Sequence, residues 1–300
     1  MRIFLTGATG YIGFAVATAL RRAGHEVLGL VRQQSKTRPL RAMEIQPVLG
    51  TLQEPERYRA AAESCSVLVH AAADYQADTP ELDRKTVEFL LGLGATGPQP
   101  KTLVYTSGVW IYGDTGGSMA DETTPVNPPA AAAHRPGVEQ MVLTARATRG
   151  LVIRPGDVYG GRGGLTGMWF TGATEGALRV VGDGRNRWPM VHVEDLADAY
   201  VRMVESGIRG EIFNVTDRSR WSVGEMAAAA AGAAGYEGAI EFVPVRDAAK
   251  QFGSMADCLA MDQHIDSRKA VRLLGWQPKH GGFVDGVAGY YEAWKAGEER

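Results

Sequence analysis

Three glycines near the start of the chain carry its clearest chemistry. Gly7, Gly10 and Gly13 stand three apart in Gly7-Ala8-Thr9-Gly10-Tyr11-Ile12-Gly13. A short apolar run, 3–5, precedes them, and apolar residues recur at helical spacing over 11–22. Glycine is needed where a strand turns sharply into a helix, where backbone approaches a pyrophosphate, and where that helix packs hard on the strand. The helix start then offers unpaired N–H groups and the positive end of its dipole to phosphates. Thr9, Tyr11 and Ile12 lie in the same turn and join the glycines as candidate cofactor contacts. The competing reading is a packing turn without a ligand. Its setting in the first strand–turn–helix of the chain favours the dinucleotide site.

The next chemical signal is basic. Arg32 follows a second strand at 27–31, Lys36 follows it, and no acid occurs between Val31 and Arg41. An acid there would bind a ribose 2′-hydroxyl, whereas a guanidinium suits a 2′-phosphate through two parallel hydrogen bonds. NADP is therefore favoured over NAD, against the alternative of a solvated basic loop. A fourth strand at 67–71 runs into Ala71, Ala72 and Ala73, small enough for backbone to lie against the adenosine side; close helix–sheet packing is their other use. Leu52, after a short strand at 48–49, completes this set.

These residues need a frame. Strand-like runs at 101–106, 151–154 and 212–215 continue the series, alternating with helical patterns at 56–64, 82–93, 137–149 and 194–205. The alternation predicts an α/β fold with a doubly wound parallel sheet of the Rossmann type and a smaller, mostly helical lobe. Residues 156–184 are glycine-rich and aperiodic, which predicts a long functional loop with one helix. The expected division is a nucleotide-binding domain over 1–160 and 190–216, and a substrate-binding lobe over 161–189 and 217–300.

Composition narrows the partners. Of 300 residues, 45% are hydrophobic and 22% charged, with a net charge of −2 and no long block of one sign. That argues against nucleic acid or an anionic membrane and toward a small-molecule substrate. No apolar run is long enough to span a bilayer, and the glycine-interrupted start does not read as a signal peptide. Two cysteines, Cys65 and Cys258, are too few for a disulfide framework, and the six histidines show no HExxH spacing, so no metal is expected. A cytoplasmic setting is the default expectation.

Four later segments keep a recognisable order: Tyr105-Thr-Ser-Gly-Val-Trp-Ile-Tyr-Gly113, Ile153-Arg-Pro-Gly-Asp-Val-Tyr-Gly160, the stretch from Trp188 to Tyr200, and Leu274-Gly-Trp-Gln-Pro278. With the opening turn they resemble the short-chain dehydrogenase/reductase superfamily, in particular its extended and atypical branches and their NAD-dependent epimerase/dehydratase-like members. The resemblance spans nearly the whole chain. It implies that Thr106, Ser107, Pro155, Gly156 and Val158 also face the cofactor, and that the helices holding 82–93 and 139–143 pair in a homodimer.

The resemblance further implies a Ser/Thr, a Tyr that moves the proton, and a Lys that lowers its pKa. A phenol with a pKa near 10 needs a cation beside it to work at neutral pH, and a spacing of four sets both on one helix face. Glu139 and Val142 set the register here. The Lys position falls on Arg135, the Tyr position on Ala131, and the Ser/Thr position on Gly108, just after Ser107. All three are changed. Arg135 can hold a ribose or an anion but cannot act as a base. His134 has a suitable pKa, although adjacent helical residues point about a quarter-turn apart, and a surface histidine at a helix start is the plainer reading. Ser107, Tyr112, His134 and Arg135 are the catalytic candidates. Asp74, Tyr75, Trp110, Tyr159, Arg187 and Trp188 are candidate substrate contacts, the aromatics being equally suited to a pocket wall. His192 is expected to brace the sheet through Glu194 or Asp195, and Tyr291 with Lys295 to be a chance match. The function expected is that of an NADPH-dependent reductase of a small carbonyl or imine with a non-standard proton donor. A redox-neutral epimerase, dehydratase or cyclase, and a dinucleotide-sensing regulator, are the alternatives.

Overall fold

Short apolar runs with buried side chains on both faces set the sheet. The computed structural model describes residues 1–73, 79–95 and 100–298; Asp74 and Tyr75 lie outside them. The strands are β1 (Arg2–Thr6), β2 (Glu26–Val31), β3 (Gln46–Leu49), β4 (Val67–His70), β5 (Lys101–Thr106), β6 (Met119–Ala120), β7 (Thr148–Pro155), β8 (Asp157–Tyr159), β9 (Arg179–Val181), β10 (Met190–His192), β11 (Glu211–Val215), β12 (Glu241–Val243) and β13 (His264–Ile265). Seven of them form one parallel sheet in the order β11-β7-β5-β4-β1-β2-β3. The order reverses between β1 and β4, where a doubly wound sheet opens its ligand crevice. Pairing of Thr6 with His70, and of His70 with Tyr105, brings the carboxyl ends to one edge.

Helices cover both faces. They are α1 (Tyr11–Arg22), α2 (Thr37–Ala42), α3 (Arg59–Glu63), α4 (Thr79–Gly92), α5 (Arg135–Thr144), α6 (Gly167–Thr174), α7 (Val193–Glu205), α8 (Val223–Ala233), α9 (Val245–Phe252), α10 (Met255–Ala260), α11 (Arg268–Leu274) and α12 (Phe283–Glu298). Val16, Ala17 and Leu20 of α1 pack with Leu196, Ala199 and Met203 of α7 in one core layer. Leu90 of α4 and Val138 and Val142 of α5 pack with Phe4 and Leu103 in the other. A separate cluster centres on Trp169, Trp188, Phe170 and Phe283 and draws on α6, α8 and α12. No helix among the described residues is long and apolar enough to cross a membrane. Cys65 and Cys258 are both buried and free.

Several expected bounds move. The helix expected over 137–149 begins at Arg135 and stops at Thr144, and β7 already starts at Thr148. The 56–64 pattern divides into a 3-10 turn, Pro55–Arg57, and α3, with Tyr58 between them at φ −117° and ψ 3°, outside helical geometry. The expected loop over 156–184 contains β8, α6 and β9, and β8 pairs in parallel with β10. Three-residue strands are too short to show a period in sequence. The late Leu-Gly-Trp segment is an anchor: Gly275 takes a φ of 62° to end α11, and buried Trp276 donates from Nε1 to Asp195 O at 2.8 Å.

Candidate functional site

The glycine turn sits at the carboxyl ends of β1 and β4. A Cβ on Gly7, whose φ is 75°, would stand 2.5 Å from Ala71 O, and one on Gly13 would stand 2.1 Å from Gly7 O. Those two glycines let turn, helix and β4 close on each other. A Cβ on exposed Gly10 would meet only Gly7 O, at 3.2 Å. Gly10 is the N-cap of α1, with no side-chain cap and no acid in the first turn, so the helix start lacks an internal anion.

A cavity of about 190 Å³ lies before this turn. Gly7, Thr9, Gly10, Leu52, Ala71, Ala72 and Ala73 line it, and Arg32, Lys36 and Gln53 complete its wall. A second, smaller pocket shares Leu52, Ala72 and Ala73 and is bounded by Asp83, Thr106, His134 and Arg135. The cleft thus crosses the ends of β2, β1, β4 and β5 in turn. Tyr11 and Ile12 are not among the residues lining it. They are half-buried against the core, and the Tyr11 hydroxyl donates to Gly160 O at 2.6 Å.

At its inner end Arg135 donates from Nη1 to Thr106 O at 3.1 Å, and Thr106 Oγ1 meets the Tyr200 hydroxyl at 2.6 Å. His134 lines the same pocket as Arg135, because it is the N-cap of α5 and precedes the first full turn. The quarter-turn objection therefore fails. Its Nε2 stands 3.6 Å from Asp83 Oδ2, and burial holds its imidazole below the usual range. Asp83 also accepts from the Tyr105 hydroxyl at 2.6 Å and meets His70 Nε2 at 3.0 Å, while His70 Nδ1 meets Thr6 Oγ1 at 2.7 Å. Burial alone would raise Asp83, but the bonds from His70 and Tyr105 hold its carboxyl below the ordinary value. Nothing local in the sequence marks Asp83 as an acid that His70, Tyr105 and His134 converge on.

Other candidates are placed differently. Tyr112 is buried at the end of a 3-10 turn, Val109–Tyr112, donating to Asn214 Oδ1 at 2.9 Å and accepting from Arg154 Nη1 at 2.6 Å. Both functions of its hydroxyl are used, so it is a structural tyrosine and not a proton donor. Tyr159 is fully buried among His192, Phe283 and Tyr290, inside a core and not on a pocket wall. Arg187 and Trp188 line a separate cavity of about 480 Å³ with Thr216, Asp217 and Gln263; neither Ser107 nor Trp110 reaches it. Trp188 stacks on Trp169 with centroids 5.1 Å apart. His192 Nδ1 accepts from the Glu194 backbone N–H at 3.2 Å, capping α7 as a brace. His192, Glu194 and His280 hold three ligand-type atoms within 4.8 Å of one another, but that bond already engages the His192 Nδ1 lone pair. Tyr291 packs against Phe170 and Trp294 in the aromatic cluster.

Beyond Thr106 the edge continues onto β7. Pro155, Gly156 and Val158 are buried, and Gly156 has no room for a side chain: a Cβ would stand 2.0 Å from Pro189 O. Ser107 is 4% exposed, and among the described residues its Oγ has no hydrogen-bond partner. Trp110 donates from Nε1 to Asp157 Oδ1 at 3.1 Å. Sequence reasoning passed over Asp157, although an acid inside an apolar strand segment was the available signal.

This crevice at the switch point of a seven-stranded parallel sheet, with a glycine turn and an uncapped helix start, defines a dinucleotide-binding α/β protein. The NAD dependent epimerase/dehydratase family model matches residues 3–216. The chain belongs to that family and, with it, to the extended and atypical short-chain dehydrogenase/reductases. An uncharacterized Schizosaccharomyces pombe protein is 28% identical, covering 96% of this chain and 98% of its own. A Stigmatella aurantiaca 4-hydroxy-2-methyl-3-oxo-4-farnesyl-3,4-dihydroquinoline-1-oxide ketoreductase is 28% identical over 72% of this chain and 68% of its own. A human epimerase family protein solved with NADPH superposes with a TM-score of 0.80 at 23% identity, covering 97% of this chain and 99% of that one. A nicotinamide dinucleotide is the cofactor class this fold and cleft fit.

Proposed function

We propose that this protein is an NADPH-dependent reductase of a small carbonyl or imine. The observation that carries the reading is the placement of Arg32 and Lys36 in one wall with the glycine turn, and no acid among the residues lining that cavity. A 2′-phosphate there would meet two cations, whereas a bare 2′-hydroxyl would find no carboxylate. The ketoreductase relative and the NADPH-bound human structure support the same reading. When bound, NADPH supplies the hydride. The chain contributes the α1 start for the pyrophosphate, and Arg135, fixed on Thr106 O, as a permanent cation beside the ribose.

A panel of aldehydes, ketones and cyclic imines, followed by loss of NADPH absorbance and product analysis, tests this. One reduced product per NADPH consumed is expected. Cofactor binding with no net oxidation, while a substrate is isomerised or dehydrated, would replace the reductase with a redox-neutral enzyme.

A further inference from the structure

The cavity of about 480 Å³ that Arg187 and Trp188 line shares no residue with either pocket of the cofactor cleft. Three stretches of chain build most of it: the approach to β10, the turn after β11, and β13 with the start of α11. Its back is fixed. Trp276 and Gln263 are buried, and Gln263 Nε2 donates to Val109 O at 3.0 Å and to Gly113 O at 2.8 Å. Thr216 Oγ1 meets Ser267 Oγ at 2.5 Å, which joins the turn after β11 to the start of α11. Asp217 Oδ1 accepts from Ser219 N at 2.8 Å and from Ser219 Oγ at 2.6 Å. An acid bonded two residues ahead in this way sets a tight turn, and Arg218 and Arg220 both border the cavity from it.

The charge of this wall is lopsided. Four arginines border the cavity, Arg187, Arg218, Arg220 and Arg268, against two acids, Asp217 and Asp266. Asp266 is already engaged: its Oδ2 accepts from Arg268 Nε at 2.6 Å and its Oδ1 from the Arg268 backbone N–H at 2.7 Å. Asp217 spends Oδ1 on Ser219, and its buried Oδ2 has no hydrogen-bond partner among the described residues. Neither acid therefore meets the other three arginines. The guanidiniums of Arg187, Arg218 and Arg220 make no hydrogen bond or ion pair with any described residue; Glu225 feels the charge of Arg187 without a bond to it.

The chain as a whole carries 32 Lys and Arg against 34 Asp and Glu, so this surplus is local. A single solvated arginine is ordinary on a surface. Three unpaired ones around one concavity repel each other, and the low-dielectric walls focus their field inward. Burial lifts the Asp217 carboxyl above its ordinary value, which makes it a weaker counter-charge still.

We propose that this cavity binds a small organic phosphate, a monoester whose terminal oxygens meet Arg187, Arg218 and Arg220 and whose carbon part lies against Trp188, Trp276 and Ile265. A phosphate monoester carries close to two charges and three terminal acceptor oxygens, one for each unpaired guanidinium. A carboxylate offers one charge and two oxygens, which a single guanidinium fork would satisfy. The volume lies within the range of small-molecule sites, and the indole and aliphatic surfaces give the carbon part an apolar seat. The site does not depend on the reductase reading, because no residue that lines the cofactor cleft enters it.

Titration calorimetry at fixed ionic strength tests the proposal, with phenyl phosphate as the probe. One saturable site is expected in wild type, with the same affinity when NADP⁺ is present in excess. Phenol, the same ring without the charge, should not bind. Arg218→Ala and Arg220→Ala should each weaken phenyl phosphate about tenfold, the size of one lost charge-assisted bond. Both arginines are exposed, so the variants should fold as wild type does and keep its NADPH affinity. Arg185→Ala removes an equal charge from the loop that holds Arg187, but Arg185 stands in solvent near Asp183 and does not border the cavity. It should leave binding unchanged. The proposal is overturned by the absence of a saturable site, by an equal loss in Arg185→Ala, or by loss of binding once NADP⁺ is added, which would put the phosphate in the cofactor cleft. Succinate binding as tightly as phenyl phosphate would overturn the assignment to a phosphate.

Discussion

Two acids beside β7 are buried alike and served differently. Glu139 of α5 is 3% exposed and takes a fork of two bonds from Arg154, at 3.0 and 2.5 Å; Arg154 also reaches Tyr112, which reaches Asn214. Asp157 is 6% exposed and takes one bond from an indole. The first acid has a cation and a full complement of donors, and it ties α5 to β7 under the sheet edge. The second, among the described residues, has no paired cation and one oxygen without a hydrogen bond. Burial alone does not set the charge of an acid here; its hydrogen-bond partners do.

Four experiments break or sharpen that contrast. Glu139→Ala strands the Arg154 guanidinium and should cost about 3–5 kcal/mol in chemical denaturation. Asp157→Asn should match wild type near pH 4, where the acid is protonated, and be the more stable of the two at pH 7. Equal losses in both would erase the distinction. The pH response should differ as well. The folded Asp157 carboxyl holds its proton up to about pH 7, whereas the unfolded one releases it near 4. Its contribution is therefore fully present below the unfolded value and is lost as pH rises to about 7. The slope approaches about 1.4 kcal/mol per unit between those limits, and Asp157→Asn should flatten it. A third experiment removes Arg32. Its loss should weaken NADPH binding about tenfold or more, as expected for one charge-assisted contact, and leave NADH almost untouched. The smallest effect belongs to His134. It shares the inner pocket with Arg135 but has only a 3.6 Å approach to Asp83, so His134→Gln should lower kcat no more than severalfold. A loss of about 100-fold or more would make the His134–Asp83 pair the proton donor.

The glycine turn, Arg32 and the alternation of strands and helices were legible because each is dictated locally. A sharp turn asks for glycine, and a buried parallel strand asks for an apolar run. Arg135 carries its guanidinium to Thr106 O in the pocket at the inner end of the cleft. What was not legible depends on partners far along the chain. Tyr112 looks like a free phenol until Arg154 and Asn214, 42 and 102 residues away, take both sides of its hydroxyl. Asp83 gains meaning only from His70, Tyr105 and His134. β8 and β10 pair across a glycine-rich stretch and were invisible for the same reason.

The most direct measurement is a fluorescence titration of the wild-type protein and Arg32→Ala with NADPH and NADH. NADPH should bind wild type at least about tenfold more tightly than NADH, and Arg32→Ala should bring the two affinities together. Equal or tighter NADH binding to wild type, or an unchanged NADPH preference in the variant, would contradict the account.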